Sequence, residues 1–327
     1  MKVEKLITNT NNERKPEHDP QVIDVTSPQD VLQIDSSFQV RTLPPLKEFK
    51  VRWASVVTYL ILHAGVIAGF WFFTWPAFLS GLILAYISGF IGISVGYHRL
   101  LTHKSFDTYN WVKYAHVFLA VIGMQLGPIT WVRTHKIHHA RADTDEDPHT
   151  QIYGWLWGLC GWLMLSHPKI GKSFLGRHLD LKDLTADKTI VFFEKHWFTI
   201  FLLSFVPLYF FGGISFVLWC GCFRAVYLSY FIWILNVSGH GTGARKFPTR
   251  DRSTNSLIIS IASGGEGWHN NHHFMPSSAR FGIFPGQLDI GFMWIKFLEM
   301  IGLAWNLKTP KTFAPEPAGP SPSMAGP

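Results

Sequence analysis

Apolar residues in this chain fall into long uncharged blocks. Trp53 to Trp75 contains no Asp, Glu, Lys or Arg, and Pro76 to Tyr97 is equally clean, the two being separated only by the Thr74-Trp75-Pro76 turn. About 20 apolar residues suffice to cross ~30 Å of hydrocarbon as a helix, so this pair predicts a transmembrane hairpin over 53–75 and 76–97. Trp197 to Gly221 (197–221) is a third uncharged candidate. Ala225 to His240 (225–240) is a shorter fourth, following it after a minimal turn at Gly221, Cys222, Phe223 and Arg224. The simplest reading is an all-α integral membrane protein with four transmembrane helices in two hairpins and a helical cap on one side.

Outside the blocks the pattern changes. Residues 1–46 are polar, mixed in charge and punctuated by Pro16, Pro20, Pro28, Pro44 and Pro45, which reads as a poorly ordered arm. No basic segment followed by an apolar one opens the chain, so no cleavable signal peptide is expected. The tail over 309–327 is Pro-, Ala- and Gly-rich low complexity and predicts no fold. Trp111 to Gln125 and Ile152 to Leu165 are aromatic-rich and too short or interrupted to span comfortably. They suit amphipathic helices at the membrane surface, or ordinary core helices of the cap.

Composition agrees with the blocks. Charged residues make up 16% of the 327 positions, against about 25% in a soluble domain. The net charge of +7 is a topology signal. Lys47, Lys50 and Arg52, with Arg99, Lys104, Lys113, Arg133, Lys136 and Arg141, fall on one side of the blocks, whereas the two opposite turns carry only Arg224. Both termini and the 98–196 region are therefore expected to be cytoplasmic. A nucleic-acid partner is not expected, because no basic groove with stacking aromatics emerges. Cys160, Cys220 and Cys222 are too few for a disulfide scaffold and lie in apolar context, as small core residues do.

The remaining anomaly is 16 histidines. His98 and His103 are spaced by five; His135, His138 and His139 fall at i, i+3 and i+4; His269, His272 and His273 repeat that second pattern. On a helix the triplet spacing lies on one face, so each triplet is expected to aim its imidazoles at one point. The five-residue gap does not keep one α-helical face, which predicts a helix ending or bending near His98. Asn236 and His240, at i and i+4, close the fourth block on the same side. Imidazole ligates several transition metals, and nine histidines exceed the four to six ligands of one ion, so two ions are the natural count. His63, mid-block, reads as a hydrogen-bonded core residue as readily as a functional one. The acidic run Asp143 to His149 could orient ligand imidazoles or form a solvated loop.

These residues resemble the membrane-bound fatty-acyl desaturase family of the Δ9 (stearoyl) type. The HxxxxH, HxxHH and HxxHH boxes occur in order. Gly96-Tyr97-His98-Arg99, Trp131-Val132-Arg133, Asn236 to His240 and Gly265-Glu266-Gly267-Trp268-His269-Asn270 extend the match over roughly residues 45–308. The resemblance implies a cytoplasmic cap holding two Fe ions that use O2 to place a cis double bond in a saturated acyl chain. Carried over by position, the ligands are His98, His103, His135, His138, His139, His240, His269, His272 and His273, with Asn236 holding an iron through water. Gln125 and Trp131 match the bend of the acyl channel, where Ile232 replaces the family's Thr. Arg133 matches a head-group position. An acidic residue beside it reads Thr134 here and a basic pair reads Leu165-Ser166, so the grip on CoA is incomplete. A long-chain acyl-CoA is the expected substrate, with an acyl-lipid as the alternative. With no His-Pro-Gly-Gly haem motif and no four-cysteine run, reducing equivalents are expected from a separate donor, a ferredoxin or cytochrome b5 with its reductase.

Three rivals remain at this level. A histidine-box hydroxylase or ketolase would insert oxygen instead. A metal or haem carrier would string ionisable residues through the blocks, where only His63 lies mid-block. A zinc hydrolase would need three ligands and a general base, but there is no HExxH.

Overall fold

A computed structural model of the chain describes residues 41–168, 170 and 179–310. Most of the expected N-terminal arm and nearly all of the C-terminal tail lie outside these residues. Helix α1 spans Trp53–Gly69 and is prolonged by a 3-10 turn, Phe70–Phe72. Thr74 then caps α2 (Trp75–Ile87): its hydroxyl accepts from the Ala77 N–H at 3.4 Å, and Pro76 occupies the first turn. Without a break, α2 continues into a π-helical segment, Ser88–Thr102. Two further helices follow, α3 (Asn110–Ile122) and α4 (Pro128–Arg141). After α5 (Lys188–Leu203) and α6 (Phe205–Phe216), π-turns over Val217–Phe223 lead into α7 (Arg224–Gly239). Three shorter helices come last: α8 (Leu257–Ser263), α9 (His269–Phe274) and α10 (Ile290–Met300). Two-residue antiparallel ladders pair Lys50 with Ser166 and Asp107 with Trp305, pinning the segments before α1 and before α3.

Among the described residues, three helical runs are long and apolar enough to cross a membrane: Trp53–Phe72, Trp75–Thr102 and Lys188–Gly239, of 20, 28 and 52 residues. Their outer faces carry bare aromatics; Phe210 and Phe211 are 82% and 85% exposed. The third run would be about 78 Å long if straight, at about 1.5 Å per residue, far beyond ~30 Å of hydrocarbon. It doubles back instead. Gly213 takes φ 64°, ψ −153°, a conformation open essentially to glycine alone. The two limbs meet where the Arg224 guanidinium donates to Ser204 Oγ at 3.1 Å, twenty residues away in sequence.

The turn expected at Gly221–Arg224 is therefore misplaced by about one helical span's half-length. Val217–Phe223 and the residues after it are helical, and the reversal lies at Gly212–Gly213. Arg224, the lone charge that suggested a loop, is buried (1% exposed), and its Nη2 donates to Ser204 at the junction of α5 and α6. Hydropathy alone cannot see a two-glycine break inside a continuous apolar run.

The core lies between the π-segment and helices α3, α4 and α5. A Cβ at Gly92 would fall 2.4 Å from the Ala120 nitrogen, so glycine lets α3 approach the π-segment backbone to backbone. Val95, Tyr97, Val117, Val121, Val132 and Ile190 fill that seam, all fully buried. Along α3, Val112 and Val117 face inward while Trp111 and Phe118 remain exposed. Of 152–165, residues 155–164 are helical.

Candidate metal centre

The π-segment solves the first spacing problem. A π-turn closes i to i+5, and the His103 N–H donates to the His98 carbonyl at 3.1 Å in that pattern. His98 and His103 consequently share a face, with ring centroids 5.0 Å apart. The helix ends one turn beyond His98, at Thr102, and because it is wound as a π-helix the five residues from His98 to His103 make one turn.

α4 brings the second group. Glu194, on α5, holds its N-terminus: the Ile129 and Thr130 N–H groups donate to Oε2 at 2.8 and 3.1 Å, and the Thr130 hydroxyl donates to Oε1 at 2.5 Å. α9 brings the third group, and His240 caps the C-terminus of α7.

The nine histidines assemble into two adjacent clusters. His98, His103, His135, His139 and His272 form one, and His138, His240, His269 and His273 the other, with the ligand atoms of each within 4.8 Å of one another. Neither triplet converges on a single point, as the sequence spacing suggested. Each straddles both clusters. On α4 the i, i+4 pair His135 and His139 serves the first cluster while His138 turns to the second; on α9 the i, i+4 pair His269 and His273 serves the second while His272 turns to the first. Residues at i and i+4 differ by about 40° around a helix and i+3 lies on the other side of the stripe, so one short helix reaches two neighbouring points.

The residues fit metal. Nε2 atoms face one another at 2.8 Å (His98–His272), 2.9 Å (His135–His139 and His139–His272) and 3.1 Å (His240–His269). Adjacent ligands around an ion with bonds of about 2.1 Å stand about 3 Å apart. Among the described residues, Nε2 of His103, His138 and His273 is buried with no hydrogen-bond partner. Neutral nitrogens packed lone pair to lone pair are held together by a cation between them.

A layer of carboxylates fixes the outer nitrogens. Nδ1 of His98 donates to Glu266 at 2.5 Å, of His138 to Asp147 at 3.1 Å, of His240 to Asp143 at 3.0 Å and of His273 to Asp251 at 2.6 Å. Each contact sets the tautomer that turns the Nε2 lone pair inward. Arg99, fully buried, bridges Glu266 at 2.6 Å and Asp289 at 3.1 Å. Its charge therefore serves the site rather than an exposed flank.

Electrostatics follow the geometry. Burial, reinforced by neighbouring imidazoles, pushes His103, His135, His139, His269 and His272 well below the ordinary imidazole range, which keeps them in the neutral, ligating form. Burial alone would raise the Glu266 carboxyl, but His98 and Arg99 overcome it and hold it at about 2. Asp251 is likewise held well below its usual range, with His273 and His240 outweighing burial. His240 runs the other way: burial lowers it, yet Asp143, Asp251 and Asp147 together raise it to about 9.

Two apolar cavities meet at this centre. The first, about 350 Å³, runs from Ala54, Ser55 and Tyr59 of α1 past Gln125 and Trp197. The second, about 280 Å³, lies between the α2–π helix and α7, from Leu82 and Tyr86 to His98 and His269. Trp131, His135, Ile232 and Asn236 line both. Trp131 stacks on His135 with centroids 4.9 Å apart. Arg133, expected at a head group, lines neither cavity, and its Nε is buried. His63 contacts the Tyr59 carbonyl at 2.6 Å and the Tyr230 hydroxyl at 3.2 Å, as a core histidine does.

Sequence reasoning missed Asp251, Glu194 and the role of Arg99. Asp143 and Asp147 stood in the acidic run, and Glu266 in the Gly-Glu-Gly-Trp-His stretch. Asp251 sits between two arginines with no spacing to the boxes, so nothing in the sequence marks it.

The sequence model of the fatty acid desaturase family matches residues 73–281. An sn-1 stearoyl-lipid 9-desaturase of Anabaena variabilis is 37% identical over 265 residues, 79% of this chain and 94% of its own. The Delta-9 acyl-lipid desaturase 1 of Arabidopsis thaliana is 37% identical over 73% of this chain and 77% of its own. The icosanoyl-CoA 5-desaturase of Limnanthes douglasii is 34% identical over 78% and 72%. The match runs through every element that delivers a histidine, and the chain belongs to the fatty acid desaturase family.

Proposed function

We propose that this protein is an integral membrane desaturase that uses O2 to introduce a cis double bond at position 9 of a saturated acyl chain carried on a glycerolipid. The observation that carries this reading is the junction of two apolar cavities at Trp131, His135, Ile232 and Asn236, beside both histidine clusters. A polymethylene chain has no polar handle, so a dry cavity on each side of the centre is what places an interior carbon pair there.

Two iron ions, held by the nine histidines with Asn236 acting through water, supply with O2 the oxidising power that unactivated methylenes require when bound. The protein's own residues do the rest. Glu266, Asp147, Asp143 and Asp251 keep protons on the outer nitrogens and lone pairs inward. Trp131, against His135, closes the wall between centre and cavity. The helices of the three long runs lie in the bilayer with both termini and the metal centre on the cytoplasmic side, and electrons come from a separate ferredoxin or cytochrome b5 with its reductase.

The carrier reading departs from the acyl-CoA expectation. Thr134, Leu165 and Ser166 offer no charge to a CoA phosphate, and the Anabaena and Arabidopsis relatives are named for acyl-lipids. Acyl-CoA stays as a second reading on the strength of the Limnanthes relative. Expression in a desaturase-deficient host, with double-bond positions read by gas chromatography and mass spectrometry, tests the function. A new cis-9 acyl product is expected, and an oxygen-inserted product would overturn the reading. Labelled stearoyl-lipid and stearoyl-CoA offered to the same membranes decide the carrier.

A further inference from the structure

The loop between α3 and α4 is strained on both sides of Gln125. Met124 and Leu126 hold φ of 60° and 67°, the left-handed region that side chains with a Cβ rarely occupy. Backbone of this kind persists only where its surroundings impose it. Two helices brace it here. Gln125 Nε2 donates to Ser229 Oγ at 3.3 Å, Ser229 Oγ and the Tyr59 hydroxyl stand 2.9 Å apart, and the Tyr97 hydroxyl donates to the Leu126 carbonyl at 3.2 Å. Ser229, on α7, is fully buried and one turn before Ile232, whose side chain has no hydroxyl to offer. Tyr59, Met124, Gln125 and Leu126 all line the first cavity.

We propose that Ser229 is a positioning residue for the substrate chain: it ties Gln125 and Tyr59 into one rigid wall, and that wall sets which carbons lie opposite the metal centre. The inference rests on the desaturase reading above. An acyl chain sliding in an apolar cavity meets no hydrogen-bonding group that fixes its register, so the register is set by wall shape. Polar ends left loose at Gln125 and Tyr59 would both soften that shape and compete for cavity space. The Ser229 hydroxyl satisfies them together, from a position behind the lining.

The test uses the full chain in a desaturase-deficient host. Ser229→Ala is expected to lower the ratio of the main positional isomer to its neighbours roughly two- to tenfold, the range spanned by one lost hydrogen bond. Tyr59→Phe, which keeps the ring, is expected to shift it less and in the same direction. The double variant should shift it no further than Ser229→Ala, because both changes act through one hydroxyl. As a readout independent of turnover, metal-depleted Ser229→Ala should lose the parent's discrimination between stearoyl- and cis-9-octadecenoyl-phosphatidylcholine in competition binding. An isomer ratio unchanged in Ser229→Ala, or independent shifts that multiply in the double variant, would overturn the proposal. Should Ser229→Ala not accumulate, Tyr59→Phe decides alone. A parent chain that makes no unsaturated product defeats the desaturase reading instead, and the two failures are distinct.

Discussion

Nε2 of His98 lies 2.8 Å from Nε2 of His272, although 174 residues separate them. One comes from the π-segment and the other from the short helix α9, so the contact forms only when both elements are in place. His139 Nε2 joins them at 2.9 Å from His272. Replacing His272 or His139 with Ala is expected to abolish desaturation and to lower iron per chain, while the protein still inserts in the membrane. Product analysis and metal assay on purified membranes check this; retained desaturation in either variant would refute the assignment.

Asp251→Asn tests the carboxylate layer. The change keeps size and removes the charge that His273 Nδ1 donates to at 2.6 Å. Partners of this kind typically contribute about 10- to 100-fold in metal affinity or activity. A loss in that range is expected, read as iron retained against a competing chelator.

Acid should destabilise the metal-free protein. His103, His135, His139, His269 and His272 have folded-state pKa values depressed below the ordinary 6.5. Below pH 6.5 the unfolded chain takes up protons that these buried rings refuse, so stability falls as pH falls, by up to about 1.4 kcal/mol per pH unit for each imidazole. Glu266, depressed to about 2, adds a loss that sets in below its unfolded value near 4.5. Thermal melts of chelator-treated protein should show no fall between pH 8 and pH 6.5, where His240, raised to about 9, gains stability as protons are added, and a decline from pH 6.5 to pH 5; the absence of that decline would contradict it.

Glu194→Ala removes three hydrogen bonds from the start of α4. Loss of a helix cap costs about 1–2 kcal/mol, here at the helix that carries His135, His138 and His139. A lower melting temperature with weaker iron retention is expected, and Glu194→Gln should fall between the two because it keeps one acceptor.

The far end of the second cavity predicts chain-length preference. Tyr86 and Leu82 stand there, and the Tyr86 ring stacks on Phe90 at 5.5 Å. Tyr86→Ala deepens the cavity and should raise the proportion of products longer than those of the parent, measured by feeding mixed saturated chains.

The histidines of the two clusters were legible in the sequence because imidazoles are rare and their spacing repeats. The sequence could not reveal how they divide. The i, i+3, i+4 pattern is compatible with one ion or with two, and only the placement of α4 against α9 decides that His138 and His272 cross over. The apolar runs were equally plain, but their reversal was not. Arg224 drew the turn toward itself, although a buried guanidinium bonded to Ser204 is no loop signal. Asp251 and Glu194 act through contacts across 22 and 64 or more residues, beyond any local pattern.

The π-segment over Ser88–Thr102 has a consequence for how such a chain tolerates change in length. A five-residue turn is an α-turn with one residue too many, and the His98–His103 spacing works only while that surplus stays lodged. Ordinary α winding of the same residues would set the two imidazoles about 140° apart, whereas deleting one residue between them would restore that winding at i and i+4, about 40° apart. A point substitution in this stretch alters a side chain, whereas a single-codon deletion would exchange the π-turn for an α-turn and still leave the histidine pair on one face.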